Sequence, residues 1–146
     1  MREIRLFGAR DLAGVAEIEK LCFSEPWSEK SLELLLKDGN FGVVAIEDGR
    51  VAAYVGVISV PPEGEITNVA THPDFRRRGI AAEVLTFLEK EAAERGIDSL
   101  YLEVRRSNTA AQSLYLKTGF FVIGERKGFY KKPREDAVLM GWKKGK

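Results

Sequence analysis

The sequence predicts one α/β (α+β) domain, a mixed sheet packed between helices, and three observations lead to it. Short stretches in which apolar residues alternate every second position are interleaved with stretches in which they recur every third and fourth. Turn signals separate these stretches at short intervals. With 45% hydrophobic residues in 146, the chain can fill one core but has little room for a second, so residues 1–146 are read as a single domain. No tandem repeat, low-complexity tract or Ser/Pro-rich linker divides it.

Ile4 and Leu6 suggest a short first strand. Asp11 is expected to cap the next helix, where Leu12, Val15, Ile18, Leu21 and Cys22 recur at helical spacing. Pro26-Trp27-Ser28 interrupts that pattern, and Ser28 with Ser31, Leu32 and Leu35 opens a second helix. Phe41 to Glu47 and Val51 to Val60 are β-rich, and Asp48-Gly49 between them is a strong hairpin signal. Pro61-Pro62-Glu63-Gly64 turns the chain into a fourth strand, about Glu65 to Thr71.

The periodicity then changes. Ile80, Val84, Leu88 and Ala92 form a ridge at spacing four, with Ala81 and Leu85 alongside, and Gly96 ends that helix in a left-handed cap. Leu100, Leu102 and Val104 alternate as a fifth strand. Ser107 or Asn108 caps a short helix carrying Ala111, Leu114 and Tyr115, which Gly119 stops. Phe120 to Ile123 and Ala137 to Trp142 read as two final strands joined by a polar loop. The order is β-α-α-β-β-β-α-β-α-β-β, with a crossover helix after strand four.

Composition narrows the function. The formal net charge is only +1, from 23 basic and 22 acidic residues, which disfavours a generally basic nucleic-acid-binding body. A single cysteine, Cys22, excludes an intramolecular disulfide and suits a reducing compartment. It falls on the apolar face of the first helix and reads as buried filler. With one cysteine and one histidine, no metal site and no Cys-His catalytic pair is expected. His72, before Pro73 at a strand exit, reads as structural or exposed. The N-terminal residues show no signal-peptide core, and no apolar run approaches the roughly 20 residues that span a bilayer. The expectation is a soluble cytoplasmic protein with no membrane partner and no direct nucleic-acid contact.

The most specific local feature is Arg76-Arg77-Arg78-Gly79-Ile80-Ala81, set where a strand hands over to an amphipathic helix. The first turn of a helix carries unpaired N–H groups, and its dipole favours an anion. Gly79 and Ala81 keep the backbone approachable, and the three arginines screen phosphate charge. A P-loop would need Gly-Lys-Ser/Thr and a dinucleotide fingerprint three glycines. On residues alone, an anion site stands beside a solvated basic helix start or a nucleic-acid contact.

Arg76-x-x-Gly79-x-Ala81 resembles the Arg/Gln-x-x-Gly-x-Gly/Ala signature of the GNAT acetyltransferase superfamily, and the element order resembles that family's over nearly the whole chain. The resemblance implies a mostly antiparallel central sheet of about seven strands flanked by about four helices, with acetyl-CoA as cosubstrate. It implies that backbone N–H groups from Arg77 to Ala82 hold the pyrophosphate. The backbone of Val69, Ala70 and Thr71 would pair with the pantetheine arm where strands four and five splay apart, and Asn108 would approach the same ligand.

Strand five places Tyr101 and Glu103 on one face, opposite Leu100, Leu102 and Val104. Under a covered sheet, desolvation would raise the Glu103 pKa and make it a better base. A solvent-facing glutamate and, for Tyr115, a core aromatic are the plainer readings. Four stretches resemble the ribosomal-protein-alanine N-acetyltransferases, the RimI type. They are Glu19-x-x-Cys22-Phe23-x-x-Pro26-Trp27-Ser28, Asn68 to Pro73, Leu102 to Tyr115, and Tyr130 with Glu135 to Met140. That resemblance implies Glu103 as general base, Tyr115 as general acid, and Trp27 and the loop bearing Tyr130 beside an acceptor peptide. The implied acceptor is the N-terminal alanine of the eighteenth small-subunit ribosomal protein. Asn108, Tyr115, Tyr130 and Glu135-Asp136-Ala137 also resemble archaeal and eukaryotic N-terminal acetyltransferases. A lysine or small-molecule acceptor, a non-catalytic acyl-CoA-sensing domain and a nucleic-acid patch are the competing readings.

Overall fold

The computed structural model describes residues 1–145. One seven-stranded sheet in the order β1-β2-β3-β4-β5-β7-β6 runs through the molecule. The strands are β1 Arg2–Leu6, β2 Phe41–Glu47, β3 Arg50–Val60, β4 Glu63–Thr71, β5 Ser99–Arg105, β6 Phe121–Lys131 and β7 Arg134–Lys143. The helices are α1 Leu12–Cys22, α2 Glu29–Leu32, α3 Ile80–Glu94 and α4 Thr109–Lys117. Every neighbouring strand pair is antiparallel except β4 and β5, which are joined by the α3 crossover and lie parallel.

Helices cover both faces, which is why β2 and the middle of β3 read as nearly continuous apolar runs. Val43, Ala45, Val55 and Val57 pack with Val84, Leu85, Leu88 and Ala92 of α3 on one side. Val44, Tyr54 and Ala70 pack with Val15 and Ile18 of α1 and with Leu32 and Leu35 on the other. The Asp48-Gly49 hairpin forms with both residues left-handed, at φ 52° and 80°. Gly96 ends α3 at φ 79°, and Gly119 follows α4 at φ 103°.

Several expectations change. Asp11 precedes α1 but makes no side-chain cap; its carboxylate accepts from Gly8 N at 2.9 Å and from both terminal nitrogens of Arg5 at 2.7 and 2.8 Å. A charged fork outcompetes the helix amide for that carboxylate. On α1 the inward residues are Val15, Ile18 and Glu19, while Leu21 is exposed. The second helix is a single α-turn, capped by Ser28 on Ser31 N at 3.1 Å, which continues as a 3-10 turn over Glu33–Leu36. β4 begins at Glu63 because Glu63 and Gly64 pair with β3 and with Ser99 and Leu100 of β5. The polar loop foreseen after Ile123 is ladder as well. β6 and β7 pair out to Lys131↔Arg134, and the ribbon reads as a loop because it is mostly exposed and therefore polar.

The feature that shapes the site is a bulge in β4. Val55 pairs with Val69 and Val57 with Ile66, so Gly56 alone faces both Thr67 and Asn68. Strand pairing between β4 and β5 stops at Glu65↔Tyr101, and beyond it the two strands part. Only glycine fits opposite the bulge. A Cβ on residue 56 would lie 2.5 Å from Thr67 Oγ1 and 2.8 Å from Leu35 Cδ1. Thr67 is β-branched and stiff, so Gly56→Ala is expected to lower unfolding free energy by about 1–3 kcal/mol through overpacking. Urea denaturation measures this, and an unchanged midpoint would show that the bulge shifts freely.

Candidate active site

The splay between β4 and β5 opens a cavity of about 390 Å³. Because the gap passes through the sheet, groups from both faces line it. Glu103 comes from the α1 face of β5, and Tyr115 comes from α4 on the opposite side. Val69, Asn108, Trp27 and Tyr130 line the same cavity. Ala70 points away, buried with α1 residues. Six predicted residues from five parts of the chain therefore converge.

Glu103 is half-buried and its pKa is raised. Burial is the main cause, the Glu65 carboxylate adds to it, and Arg126 opposes both. Tyr115 is held well above the usual phenol range by burial, with Tyr130 adding. Tyr130 is pushed up to about 12 by burial and then by the negative charge of Glu103, against Arg105. At neutral pH both phenols keep their protons, while Glu103 is more basic than an ordinary glutamate.

The arginine–glycine turn lies beyond the far end of β4. Arg77 and Gly79 are left-handed, at φ 65° and 72°, and a side chain at 79 would meet open space. Glycine is there for its backbone conformation. The first α3 amide with a partner is that of Glu83, on Gly79 O at 3.3 Å, which leaves the Ile80, Ala81 and Ala82 N–H groups as the free donors of the first turn. Arg76 turns back to Thr71 O at 3.4 Å and Cys22 Sγ at 3.5 Å, and Arg78 lies 5.3 Å from the Phe75 ring centre. The outer edge of β4 from Ile66 to Thr71, which β5 leaves unpaired, connects this turn to the cavity.

Two lips border the mouth. One is the segment after α1, with Phe23, Ser24, Glu25 and Trp27; the other is the β6–β7 ribbon, with Phe129 and Tyr130. Tyr130 thus stands in a strand, paired with Glu135, and not in a loop. Arg105 fixes the ribbon, donating to Lys132 O at 3.1 Å, Pro133 O at 2.9 Å and Glu135 Oε1 at 3.1 Å, with its guanidinium 4.3 Å from the Tyr130 ring centre. The Ser24 hydroxyl donates to Lys132 O and ties the lips together.

Sequence reasoning missed two features here, Cys22 and Glu19, and left His72 between two readings. Cys22 is part-exposed and lines the cavity, its thiol on Thr71 O at 3.4 Å, and is not buried filler. Of the two readings open for His72, structural and exposed, the structural one holds: it is buried, and its Nδ1 accepts from Asp74 N at 3.0 Å as a cap. Glu19, fully buried, accepts from Trp27 N at 2.8 Å, Asn68 Nδ2 at 2.8 Å and the Tyr54 hydroxyl. Its signal in the sequence was an acid four residues after Val15, on an otherwise apolar stripe.

A sequence model described as the Acetyltransferase (GNAT) family matches residues 12–120. This chain belongs to the GNAT acetyltransferase family. It is 34% identical over 142 residues to the [Ribosomal protein bS18]-alanine N-acetyltransferase of Salmonella typhimurium, covering 96% of each chain. It is 35% identical to the putative [ribosomal protein bS18]-alanine N-acetyltransferase of Bacillus subtilis, covering 96% of this chain and 92% of that one. The crystal structure of the ribosomal-protein-S18-alanine N-acetyltransferase from Escherichia coli superposes with a TM-score of 0.90 at 32% identity, over 98% of this chain and 94% of that one. The GNAT family member described here is therefore an acetyltransferase with that family's mixed sheet and four helices. No helix among the described residues is long and apolar enough to cross a membrane.

The cavity electrostatics are directly testable. Glu65→Gln removes a like charge, so the Glu103 carboxyl should titrate at lower pH; Arg126→Gln removes an opposing one and should move it higher. Carboxyl-carbon NMR titration reads both, and shifts of the same sign in the two variants would refute the assignment.

Proposed function

We propose that this protein transfers the acetyl group of acetyl-CoA to the N-terminal α-amine of a protein, the acceptor being the N-terminal alanine of ribosomal protein bS18. The observation that carries the chemistry is the meeting of Glu103 and Tyr115 in one cavity from opposite faces of the sheet. The acceptor rests on relatives such as those of Salmonella typhimurium and Escherichia coli, which are named for that alanine and matched over nearly their full length. Such an acceptor puts the enzyme in the cytoplasm.

The residues divide the work. The free amides of Ile80 to Ala82, at the positive end of the α3 dipole, bind the pyrophosphate. Arg76, Arg77 and Arg78 add positive charge around it. The edge of Val69, Ala70 and Thr71 that β5 leaves unpaired offers strand-like hydrogen bonds to the pantetheine amides, the Thr71 carbonyl being shared with Arg76 and Cys22. That path runs along β4 into the cavity, where Asn108 also lies. Asn108 Oδ1 caps α4 on Ala111 N at 3.1 Å, so its acceptor atom is already engaged.

Glu103 takes a proton from the ammonium, directly or through a water. The freed amine attacks the thioester carbonyl carbon, the carbon–sulfur bond breaks, and Tyr115 protonates the departing thiolate; the second proton that the attacking nitrogen loses as it becomes an amide returns the Tyr115 phenolate to a phenol. No covalent enzyme intermediate is required. An α-amine suits this base. Its pKa is about 7.7–8.0 against about 10.4 for lysine, so its deprotonation costs about 3–4 kcal/mol less. Trp27 and Tyr130, on the two lips, flank the acceptor's first residues.

Glu103→Gln and Tyr115→Phe are each expected to lower kcat by about 10²–10⁴-fold, with coenzyme A affinity by calorimetry holding within several-fold. Parent-like turnover in either variant would remove its assigned role. Peptides with free and blocked N-termini test the acceptor: acetylation persisting on the blocked peptide would point to a lysine side chain.

A further inference from the structure

Glu19 is a fully buried carboxylate that the proposed reaction does not use. Burying such a group is costly unless donors surround it. Here three do, from three parts of the chain: Trp27 N–H on the acceptor lip, the Tyr54 hydroxyl on β3, and Asn68 Nδ2 in the β4 bulge. An apolar residue would fill the space on α1 equally well, so the carboxylate is there for what it binds.

Its chemistry fixes the Asn68 amide. A carboxylate accepts hydrogen bonds and does not donate them, so the Asn68 NH₂ faces Glu19 and the carbonyl oxygen faces away. That oxygen accepts no bond from the described residues and is not among their enclosed, unpaired polar atoms. Asn68 lines the cavity that also holds Glu103 and Tyr115. The bulge thereby presents a neutral hydrogen-bond acceptor to the cavity that Glu103 also lines. An alkylammonium has three N–H donors, and removing one proton leaves two to be satisfied.

We propose that Asn68 orients the acceptor amine by receiving one of its N–H groups on the side-chain carbonyl, and that Glu19 is the positioning residue that turns this carbonyl toward the cavity. The inference rests on the amine-acetylating reading above. Through Trp27 N–H, the same carboxylate ties the acceptor lip to the bulge, so lip and amine are registered against one point.

The test uses the whole protein, acetyl-CoA and a peptide with a free N-terminal alanine. In Glu19→Gln the new amide can donate to the Asn68 carbonyl, turning it inward. Peptide KM should rise about tenfold, the scale of one hydrogen bond to a charged group, while acetyl-CoA affinity stays within several-fold. The exchanged pair Glu19→Gln with Asn68→Asp restores one carboxylate against one amide, with an oxygen toward the cavity, and should recover most of the loss. Asn68→Ala, which leaves Glu19 in place, should raise peptide KM to a similar degree. A parent-like peptide KM in Glu19→Gln or Asn68→Ala overturns the proposal, as does an exchanged pair no better than Glu19→Gln alone. If the parent acetylates no amine, the functional reading fails instead. The orientation is still decided by NMR: slow hydrogen exchange of the Asn68 NH₂, lost in Glu19→Gln, supports it, and fast exchange in the parent overturns it.

Discussion

The bulge at Thr67-Asn68, held open by the absence of a side chain at Gly56, sets the geometry on which the other parts of the site depend. Two parallel strands that start in register would ordinarily stay paired to their ends. Here the extra residue turns β4 away from β5 after three pairings, and the backbone edge released is long enough to serve a ligand. The same divergence breaches the sheet, so a side chain on the α1 face and one on the α4 face share a cavity. In an unbroken sheet, Glu103 and Tyr115 would be separated by a layer of backbone. The bulge thus creates both the donor's edge and the meeting of the two titratable groups.

Around this gap polar side chains hold the two lips in place, one an irregular segment and the other an edge ribbon. The lip after α1 has little regular structure between Phe23 and Ser28 and is anchored through its Trp27 amide to Glu19. The opposite lip is an edge ribbon, pinned by four contacts of Arg105, which follows Glu103 by two positions on the same face of β5. One β5 face therefore supplies a carboxylate to the cavity and a guanidinium to its wall. The Ser107 amide, donating to Glu135 Oε2 at 2.6 Å, joins the start of α4 to the same ribbon. The α4 cap, the end of β5 and the ribbon are thereby one braced unit beside Tyr115.

What could be read from the sequence was local. Asp48-Gly49, Gly96, Gly119 and the Ile80–Val84–Leu88–Ala92 ridge each announce an element through neighbours a few positions away, and each element formed. The arginine–glycine turn was legible because a helix start and its free amides are likewise local. The bulge was not, since Thr67 and Asn68 alternate like any strand residues and only the pairing with Gly56 reveals the extra position. Glu19 meets partners 8, 35 and 49 positions away, which no spacing rule connects. Its place in a motif shared with relatives marked it without giving its partners. The β6–β7 ribbon was hidden for the opposite reason, as exposed strand and loop share a polar composition.

The electrostatics of the cavity fit the proposed division of labour in a way that follows from one cause. Desolvation disfavours the charged form of any acid, and it dominates at Glu103, Tyr115 and Tyr130 alike. For a base, that shift brings the carboxylate closer to the pKa of an α-amine and makes the proton transfer less uphill. For an acid, it keeps the phenol protonated at neutral pH, so that a proton donor stands in the cavity when the thiolate departs. Charge coupling adds to this on the acceptor lip, where an ionised Glu103 makes loss of the Tyr130 proton harder, so that phenol stays a neutral hydrogen-bond donor. Glu103 exerts no such opposition on Tyr115, whose proton is held by burial. The base and the acid are therefore set by the same desolvation acting on opposite walls of one cavity, and each works without the charge of the other.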